Sequence, residues 1–171
     1  PRGSFDGEII FFHSLQEMQK KLIVAELQKQ ESLGFDTETK PNFQKGHKNP
    51  IALLQLYYPN RVILFQLHRF SIPSPIKEVL ENQNITKIGI GLQDDIRGLR
   101  INYHCEAKGM LDLNSFAIKK GFQSVGAQKL AALVLAIFVD KSEQLSNWEK
   151  IPLSKKQQVY AATDAWISYE I

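Results

Sequence analysis

The sequence predicts an α/β domain with a mixed β-sheet, because segments of strand character alternate with segments of helical character along the chain. Two strand-like segments, Ile51–Tyr58 and Arg61–Gln66, are separated only by Pro59 and Asn60, which is typical of an antiparallel hairpin. A later strand-like segment, Lys87–Gly91, is followed by a helical one, which favours a parallel connection. The length of 171 residues predicts a single domain over residues 1–171.

Two further strands and one helix are predicted before the hairpin. Gly7–Phe12 is an apolar segment of strand character. Ser14 has Glu17 three residues later, a capping-box spacing that predicts a helix from Ser14 to about Gln28. Ser32–Thr39 is the next strand, and a polar loop separates it from the hairpin. Three strands are therefore expected to run antiparallel before the first long crossover.

Helices are predicted in most of the remaining chain, and prolines and glycines mark their ends. The last of them is still in progress at the final residue, so the chain is expected to continue beyond residue 171, where an additional domain would be compatible with the sequence. The predicted helices run from Pro73 or Pro75 to about Asn82, from Gln93 or Asp94 to about Arg100, over two or three segments between Leu113 and Val139 that are interrupted at Gly121 and Gly126, and from Ser154 to Ile171.

The composition excludes the disordered and membrane-spanning classes. Apolar residues make up 43% of the chain and charged residues 23%, which are ordinary values for a globular protein. The longest apolar run, Leu130–Val139, is too short to span a bilayer. A secretory signal pattern is absent, so a cytoplasmic location, or a nuclear one in a eukaryote, is expected. The formal net charge of +3 permits an acidic partner such as nucleic acid but does not identify one.

Asp36 and Glu38 form an acidic pair within the predicted strand Ser32–Thr39. Side chains alternate along a strand, so the two carboxylates project from the same face. Two like charges on a partly buried strand repel each other and lose solvation, and a bound cation would offset that cost. The pattern alone fits either a metal site or a solvated edge strand with two incidental acids.

A second acidic pair follows the strand Lys87–Gly91. Gly89 and Gly91 suggest a dinucleotide-binding loop, but the third glycine position is occupied by Asp94, whose charge would repel a pyrophosphate. Two acids at a helix N-terminus are favoured by the helix dipole, and Asp94 is expected to do no more than stabilise the helix start. Asp95 shares a helix face with Leu99, so its side chain is expected to point toward the protein body.

Tyr160 and Asp164 lie four residues apart in the last predicted helix and therefore share a face. Ala161 and Ala162 between them allow the helix to pack closely on its neighbour. An isolated pair of this kind would be interpreted as a core tyrosine with an exposed acid. The ordered series of acids along the chain favours a functional interpretation instead.

In chain order, these residues resemble the motifs of the DEDDy branch of the ribonuclease H-like 3′-to-5′ exonucleases. The first motif is GFDTET, with Asp36 and Glu38. The second is IGLQDDIRGL, in which Asp95 fits the family pattern better than the acid before it. The third is YAATDA, with Tyr160 and Asp164.

The resemblance extends beyond the acidic residues, from about Gly7 to Ile171. The segment Ala52–Phe65 is similar to the family's hairpin after the first motif. Ser146–Trp166 is particularly similar to Werner-type exonuclease domains, and ribonuclease D is a more distant match. The resemblance implies a ribonuclease H-like fold, with a mixed sheet of five to six strands in which antiparallel hairpins precede parallel strands and helices flank the sheet.

The resemblance also implies a cofactor of two divalent metal ions, Mg²⁺ or Mn²⁺, which prefer oxygen ligands. The four ligands would be Asp36, Glu38, Asp95 and Asp164, with Asp36 bridging both ions. Glu38 and Asp164 would serve the ion that activates water, and Asp95 would act on the other, largely through water. Tyr160 would hold and orient the nucleophilic water, because a phenol with a pKa of about 10 is a poor general base.

The implied activity is metal-dependent hydrolysis of terminal phosphodiester bonds with release of nucleoside monophosphates. The implied partner is nucleic acid with a free 3′ end, single-stranded or partly duplex DNA in preference to RNA, with a role in DNA repair, and no membrane. Three alternatives share the fold: a ribonuclease D-like exonuclease that processes RNA 3′ ends, a ribonuclease H-like endonuclease, and a nucleic-acid binding module without catalysis.

Overall fold

A mixed sheet of six strands forms the centre of the computed structural model, which describes residues 3–12, 21–43, 48–69, 71–123 and 126–171. The strand order across the sheet is β1-β4-β3-β2-β5-β6. The strands are β1 (Glu8–Phe12), β2 (Ser32–Thr39), β3 (Ile51–Tyr58), β4 (Arg61–Gln66), β5 (Thr86–Gly89) and β6 (Met110–Asp112).

The directions of the strands confirm the predicted mixed sheet. Strands β2, β3 and β4 are antiparallel neighbours, and β3 and β4 are joined by the two-residue turn at Pro59 and Asn60. Strands β5 and β6 extend the sheet in parallel beyond β2, and β1 pairs in parallel with β4 at the other edge. Both β5 and β6 follow helical crossovers, which parallel pairing requires. Because β5 pairs with β2, the parallel part of the sheet lies next to the strand that carries Asp36 and Glu38.

Helices cover both faces of this sheet. Ser154 caps the last helix, as the sequence predicts, while the predicted start of the first helix at Ser14 and Glu17 lies outside the described residues. Among the residues that are described, no helix combines the length and the hydropathy needed to cross a membrane. The helices are α1 (Lys21–Gln28), α2 (Ser74–Glu81), α3 (Gln93–Tyr103), α4 (Leu113–Lys119), α5 (Ala127–Leu130) and α6 (Lys155–Glu170), with a 3₁₀ turn at Leu67–Arg69 and a π turn at Ala131–Leu135.

The boundaries of several elements differ from the prediction. Helix α3 continues three residues past Arg100 and ends where His104 adopts a left-handed conformation, with φ of 49°. Strand β5 ends at Gly89 rather than Gly91, because Gly91 has φ of 75° and turns the chain into α3. Strand β6 was not predicted, since three partly buried or exposed residues carry no strand periodicity.

Helix α6 packs very closely on β2. Ala161, Ala162 and Ala165 are fully buried at this contact. On the strand side, Gly34 has no side chain, and a Cβ there would overlap the carbonyl oxygen of Ala165 and lie 3.1 Å from the Cβ of Tyr169. Small residues on both elements therefore let the helix lie directly over the strand that carries the acidic pair.

A glutamine fixes the first turn of α6 to the loop before it. Ser154 accepts a hydrogen bond from the Gln157 backbone N–H, and the Ser154 backbone N–H donates to Gln157 Oε1, so the two form a capping box. The Gln157 side-chain amide also donates to Ser146 Oγ at 2.7 Å and to the Asn147 carbonyl at 3.1 Å. The buried Gln157 thus joins the loop and the helix into one unit.

Gly34→Ala is expected to destabilise the domain by about 1–3 kcal/mol, because the added methyl group meets rigid helix backbone. Gly98→Ala is the matched control. Its Cβ would meet the mobile end of Ile51 at 2.9 Å, and alanine is favoured over glycine inside a helix. Thermal unfolding of both variants measures the difference, and equal melting temperatures would contradict the close packing of α6 on β2.

Candidate active site

Three carboxylates meet where α6 crosses β2. The side chains of Asp36 and Glu38 leave the same face of the strand, and Asp164 approaches them from the helix. One oxygen atom from each carboxylate can be chosen so that all three lie within 4.8 Å of one another. The three acids and Tyr160 line a cavity of about 300 Å³. The structure therefore brings together four of the five site residues predicted from sequence.

The fifth predicted residue, Asp95, approaches from the start of α3. Its carboxylate accepts a hydrogen bond from the hydroxyl of Thr37, the residue between Asp36 and Glu38. Its negative charge contributes to the raised pKa of both acids on β2, behind the larger effect of burial. Asp95 is thus close enough to the cluster to act on it, although it does not belong to the tight group of three.

Asp94 has a different environment from Asp95. It does not cap the helix, since the N-cap position is Leu92, and its exposed carboxylate forms an ion pair of 2.7 Å with Lys48. The side chains of both partners are more than 70% exposed, so this pair contributes little to stability. The geometry therefore favours Asp95 over Asp94 as the acid that faces the site.

Tyr160 is held in the cavity by contacts at both ends of its side chain. Its ring packs against the buried ring of Trp148, with centroids 5.8 Å apart, and its hydroxyl donates a hydrogen bond to Asp164. Burial, together with the charges of Asp164, Glu38 and Asp36, raises the pKa of Tyr160 above its ordinary value. The hydroxyl therefore stays protonated at neutral pH and acts as a hydrogen-bond donor.

The electrostatics within the acidic cluster are unfavourable to negative charge on its members. Burial, reinforced by repulsion from Asp36, Asp164 and Asp95, raises the pKa of Glu38 to about 10. Burial also raises the pKa of Asp164 to about 7, although the Tyr160 hydroxyl and the Lys141 charge oppose the change. The pKa of Asp36 is raised for the same reason, with burial as the largest cause.

These properties fit a divalent cation. Carboxylate oxygens are the ligands that Mg²⁺ and Mn²⁺ prefer, and a cation would offset the repulsion that otherwise keeps protons on the acids. The partial exposure of Asp36, Glu38 and Asp164 leaves room for water or phosphate oxygen on the open side of the cluster. The donor set is therefore suited to a hard metal ion bound between β2 and α6.

Other residues of the cavity could not be found from sequence. Gln128, Lys141 and Gln144 line the same space, and Lys141 is the cation that faces Asp164 in the described part of the cavity wall. Gln128 lies in the short helix α5, and Lys141 and Gln144 lie in the segment between α5 and α6, where no motif or periodicity marks them. Only the folding of that segment against α6 brings them to the acids.

The fold and the cavity define the chain as an α/β domain with a carboxylate cluster suited to divalent cations. A family model described as 3′-5′ exonuclease matches residues 12–171. The chain belongs to this 3′-5′ exonuclease family. This confirms the resemblance to the DEDDy exonucleases of the ribonuclease H-like superfamily that the sequence motifs indicate.

Three similar proteins illustrate the relationship. The bifunctional 3′-5′ exonuclease/ATP-dependent helicase WRN of Mus musculus is 29% identical over 97% of this chain and 12% of its own length. Exonuclease 3′-5′ domain-containing protein 2 of Drosophila melanogaster is 36% identical over 81% of this chain and 24% of its own length. The crystal structure of Escherichia coli RNase D has the same fold, with a TM-score of 0.83 at 20% identity, covering 96% of this chain and 43% of that one. The chain thus spans a quarter or less of these two sequence relatives.

Asp164→Asn is expected to raise the melting temperature of the metal-free domain, and the gain is expected to depend on pH. The pKa of Asp164 is about 7 in the folded state against an ordinary 3.8, so between these values the unfolded chain releases a proton that the folded domain retains. The folded domain therefore loses stability as pH rises from about 4 to 7. Asparagine removes this loss and can still accept the Tyr160 hydrogen bond.

The measurement compares thermal unfolding at pH 4.5 and pH 7.5 with a chelator present. At pH 7.5, Asp164→Asn is expected to raise the free energy of unfolding by on the order of 1 kcal/mol, which is roughly 2–4 °C in melting temperature for a domain of this size. At pH 4.5, the increase is expected to be much smaller. Asp94→Asn, at an exposed acid, is expected to change stability by no more than about 0.5 kcal/mol at either pH. If Asp164→Asn stabilised the domain equally at both pH values, the raised pKa of Asp164 in the folded domain would be contradicted.

Proposed function

We propose that this domain is a metal-dependent 3′-to-5′ exonuclease that hydrolyses terminal phosphodiester bonds of nucleic acid and releases nucleoside monophosphates. The observation that carries the proposal is the meeting of Asp36, Glu38 and Asp164 beside Tyr160 in one cavity, in a chain of the 3′-5′ exonuclease family. A cavity of about 300 Å³ is large enough for a terminal nucleotide but not for a folded macromolecule.

The proposed cofactor is a pair of Mg²⁺ or Mn²⁺ ions. Asp36, Glu38 and Asp164 would hold one ion, and Asp36 with Asp95 would hold the other. The charges of both Asp164 and Asp95 act on Asp36, after burial as the main cause of its raised pKa, which supports a central position for Asp36. Two such ions would stabilise the attacking and leaving oxygens of an in-line displacement at phosphorus.

The chain's own residues position the reactants. The Tyr160 hydroxyl, anchored by Trp148 and Asp164, is placed to orient the attacking water, and its raised pKa excludes it as a base at neutral pH. Glu38 lines the same cavity and, in its ionised form, can accept a hydrogen bond from that water. Lys141, which lines the cavity and whose charge acts on Asp164, offers a positive charge to the terminal phosphate.

DNA is the proposed substrate in preference to RNA. The support is the similarity along nearly the whole chain to an exonuclease that is joined to an ATP-dependent helicase. The likeness to the RNase D structures lies below 25% identity and bears on the fold alone. An RNA 3′-end processing exonuclease, an endonuclease and a binding module without catalysis are the alternatives that the assay below separates.

Wild-type protein is expected to shorten a 5′-labelled oligonucleotide stepwise from its 3′ end in Mg²⁺ or Mn²⁺, faster on DNA than on RNA. Asp36→Asn is expected to lower kcat by at least about 10³-fold, since it removes the acid shared by both proposed ions. Gel electrophoresis of the products measures both rates. Cleavage of a closed circular strand would indicate an endonuclease, and full activity of Asp36→Asn would contradict the proposed catalytic site.

Asp95→Asn and Asp94→Asn separate the two adjacent acids. Asp95→Asn is expected to lower kcat by about 10²-fold or more, because Asp95 contacts the strand between the two catalytic acids. Asp94→Asn is expected to retain activity within a few-fold of wild type, because Asp94 is exposed and paired with Lys48. The same oligonucleotide assay measures both variants, and the reverse order of activities would exclude Asp95 as the fourth acid.

A further inference from the structure

Gln55 is a buried glutamine whose amide has no partner. Its side chain is fully buried, and neither Nε2 nor Oε1 forms a hydrogen bond among the described residues. Buried amides of native proteins are nearly always hydrogen-bonded, because an unpaired one loses its solvation without compensation. A fully buried, unpaired amide in the middle of a central strand therefore calls for a physical explanation.

The strand register places Gln55 beside the acidic cluster. Gln55 on β3 lies directly opposite Asp36 on β2, so the two side chains leave the same face of the sheet with Cβ atoms roughly 4.5–5.5 Å apart. On its other side, Gln55 lies opposite Leu64 of β4, which is apolar. Asp36 is therefore the polar group that directly flanks Gln55 across the sheet.

The Asp36 carboxylate has room for another donor. It accepts a hydrogen bond from the backbone N–H of Thr37, and a carboxylate can accept about four. Among the described residues, this backbone N–H is the one hydrogen-bond donor that acts on the pKa of Asp36, and no side-chain donor acts on it. One acceptor without a side-chain donor and one amide without any partner thus stand opposite each other on neighbouring strands.

We infer that Gln55 is a positioning residue for Asp36. When Asp36 binds a cation, Nε2 of Gln55 donates a hydrogen bond to the Asp36 carboxylate oxygen that is turned away from the cavity, either directly or through one buried water. This inference rests on the proposed cation site. Groups that hydrogen-bond a metal ligand fix its orientation and are needed for full metal affinity. A neutral amide does this without the positive charge that would repel the metal ion.

Gln66 provides a matched control within the same core. It is also a fully buried glutamine, and it faces the same side of the sheet from β4, opposite Leu53. Its Nε2 donates to the Lys150 carbonyl at 3.0 Å, so its amide has one structural partner, although its Oε1 has none among the described residues. The two glutamines therefore share residue type and burial but differ in whether they face Asp36.

The test is calorimetric titration of Mn²⁺ into wild-type, Gln55→Met and Gln66→Met proteins. Gln55→Met keeps the shape of the side chain and is expected to weaken Mn²⁺ binding by about 10–100-fold without lowering the melting temperature. Gln66→Met is expected to retain the wild-type Mn²⁺ affinity and to melt at a lower temperature, because it leaves the Lys150 carbonyl unpaired. Wild-type Mn²⁺ affinity in Gln55→Met, or equal losses in both variants, would overturn the inference.

A second measurement needs no variant. In the NMR spectrum of the wild-type protein, the side-chain amide signals of Gln55 are expected to shift on titration with Mg²⁺, while those of Gln66 stay within the line width. Unchanged Gln55 signals in a protein that binds Mg²⁺ would overturn the role of Gln55 and leave the proposed exonuclease intact. A wild-type protein that neither binds Mg²⁺ nor shortens DNA or RNA would instead refute the proposed function itself.

Discussion

The close contact between α6 and β2 is the constraint on which the candidate active site depends. Asp36 and Glu38 come from the strand and Asp164 from the helix, and their ligand oxygens lie within 4.8 Å of one another only because the two backbones nearly touch. Gly34 supplies the strand side of that contact, and the buried alanines of α6 supply the helix side. Any larger side chain at this contact would move the helix away from the strand and separate the acids. The chemistry of the cavity therefore depends directly on the packing of the core.

The domain contains two kinds of carboxylate, which differ in their hydrogen-bond donors. Burial acts against the charge of Asp112, but it accepts hydrogen bonds from the backbone N–H groups of Gly91 and Asn114 and from the Ser115 hydroxyl, which hold its pKa below the ordinary value. Tyr58 and Arg61 do the same for Glu26. The acids of the cavity have few such donors, and their pKa values rise. Asp112 and Glu26, which have several donors, stabilise the fold, whereas the cavity acids, which have fewer, are available to a cation.

The sequence predicts the parts of this molecule in which local pattern and tertiary structure agree. The hairpin of β3 and β4, the bounds of β2 and the cap of α6 at Ser154 follow from turn chemistry, alternation and capping, which act over a few residues. Strand β6 could not be predicted from local pattern, because its three residues form a strand only through their pairing with β5.

The candidate site also contains residues that the sequence predicts and residues that it does not. The acids could be predicted because each belongs to a recognisable motif, and Asp95 could be distinguished from Asp94 by the helix face it shares with Leu99. Lys141 in the cavity wall could not be predicted, because its place depends on how the segment before α6 folds. The pairing of Gln55 with Asp36 depends on strand register, which pattern alone does not determine.

Gln157 has a consequence for how the cavity can open. Its backbone and side chain connect Ser154, Ser146 and Asn147, so the segment that leads out of the cavity wall is bonded to the first turn of the helix that carries Tyr160 and Asp164. Elements joined in this way unfold together rather than separately. Hydrogen exchange in the 146–148 loop should therefore be linked to that in the start of α6, and the wall and base of the cavity would behave as one cooperative unit. Opening of the cavity at this wall would therefore require the start of α6 to open as well.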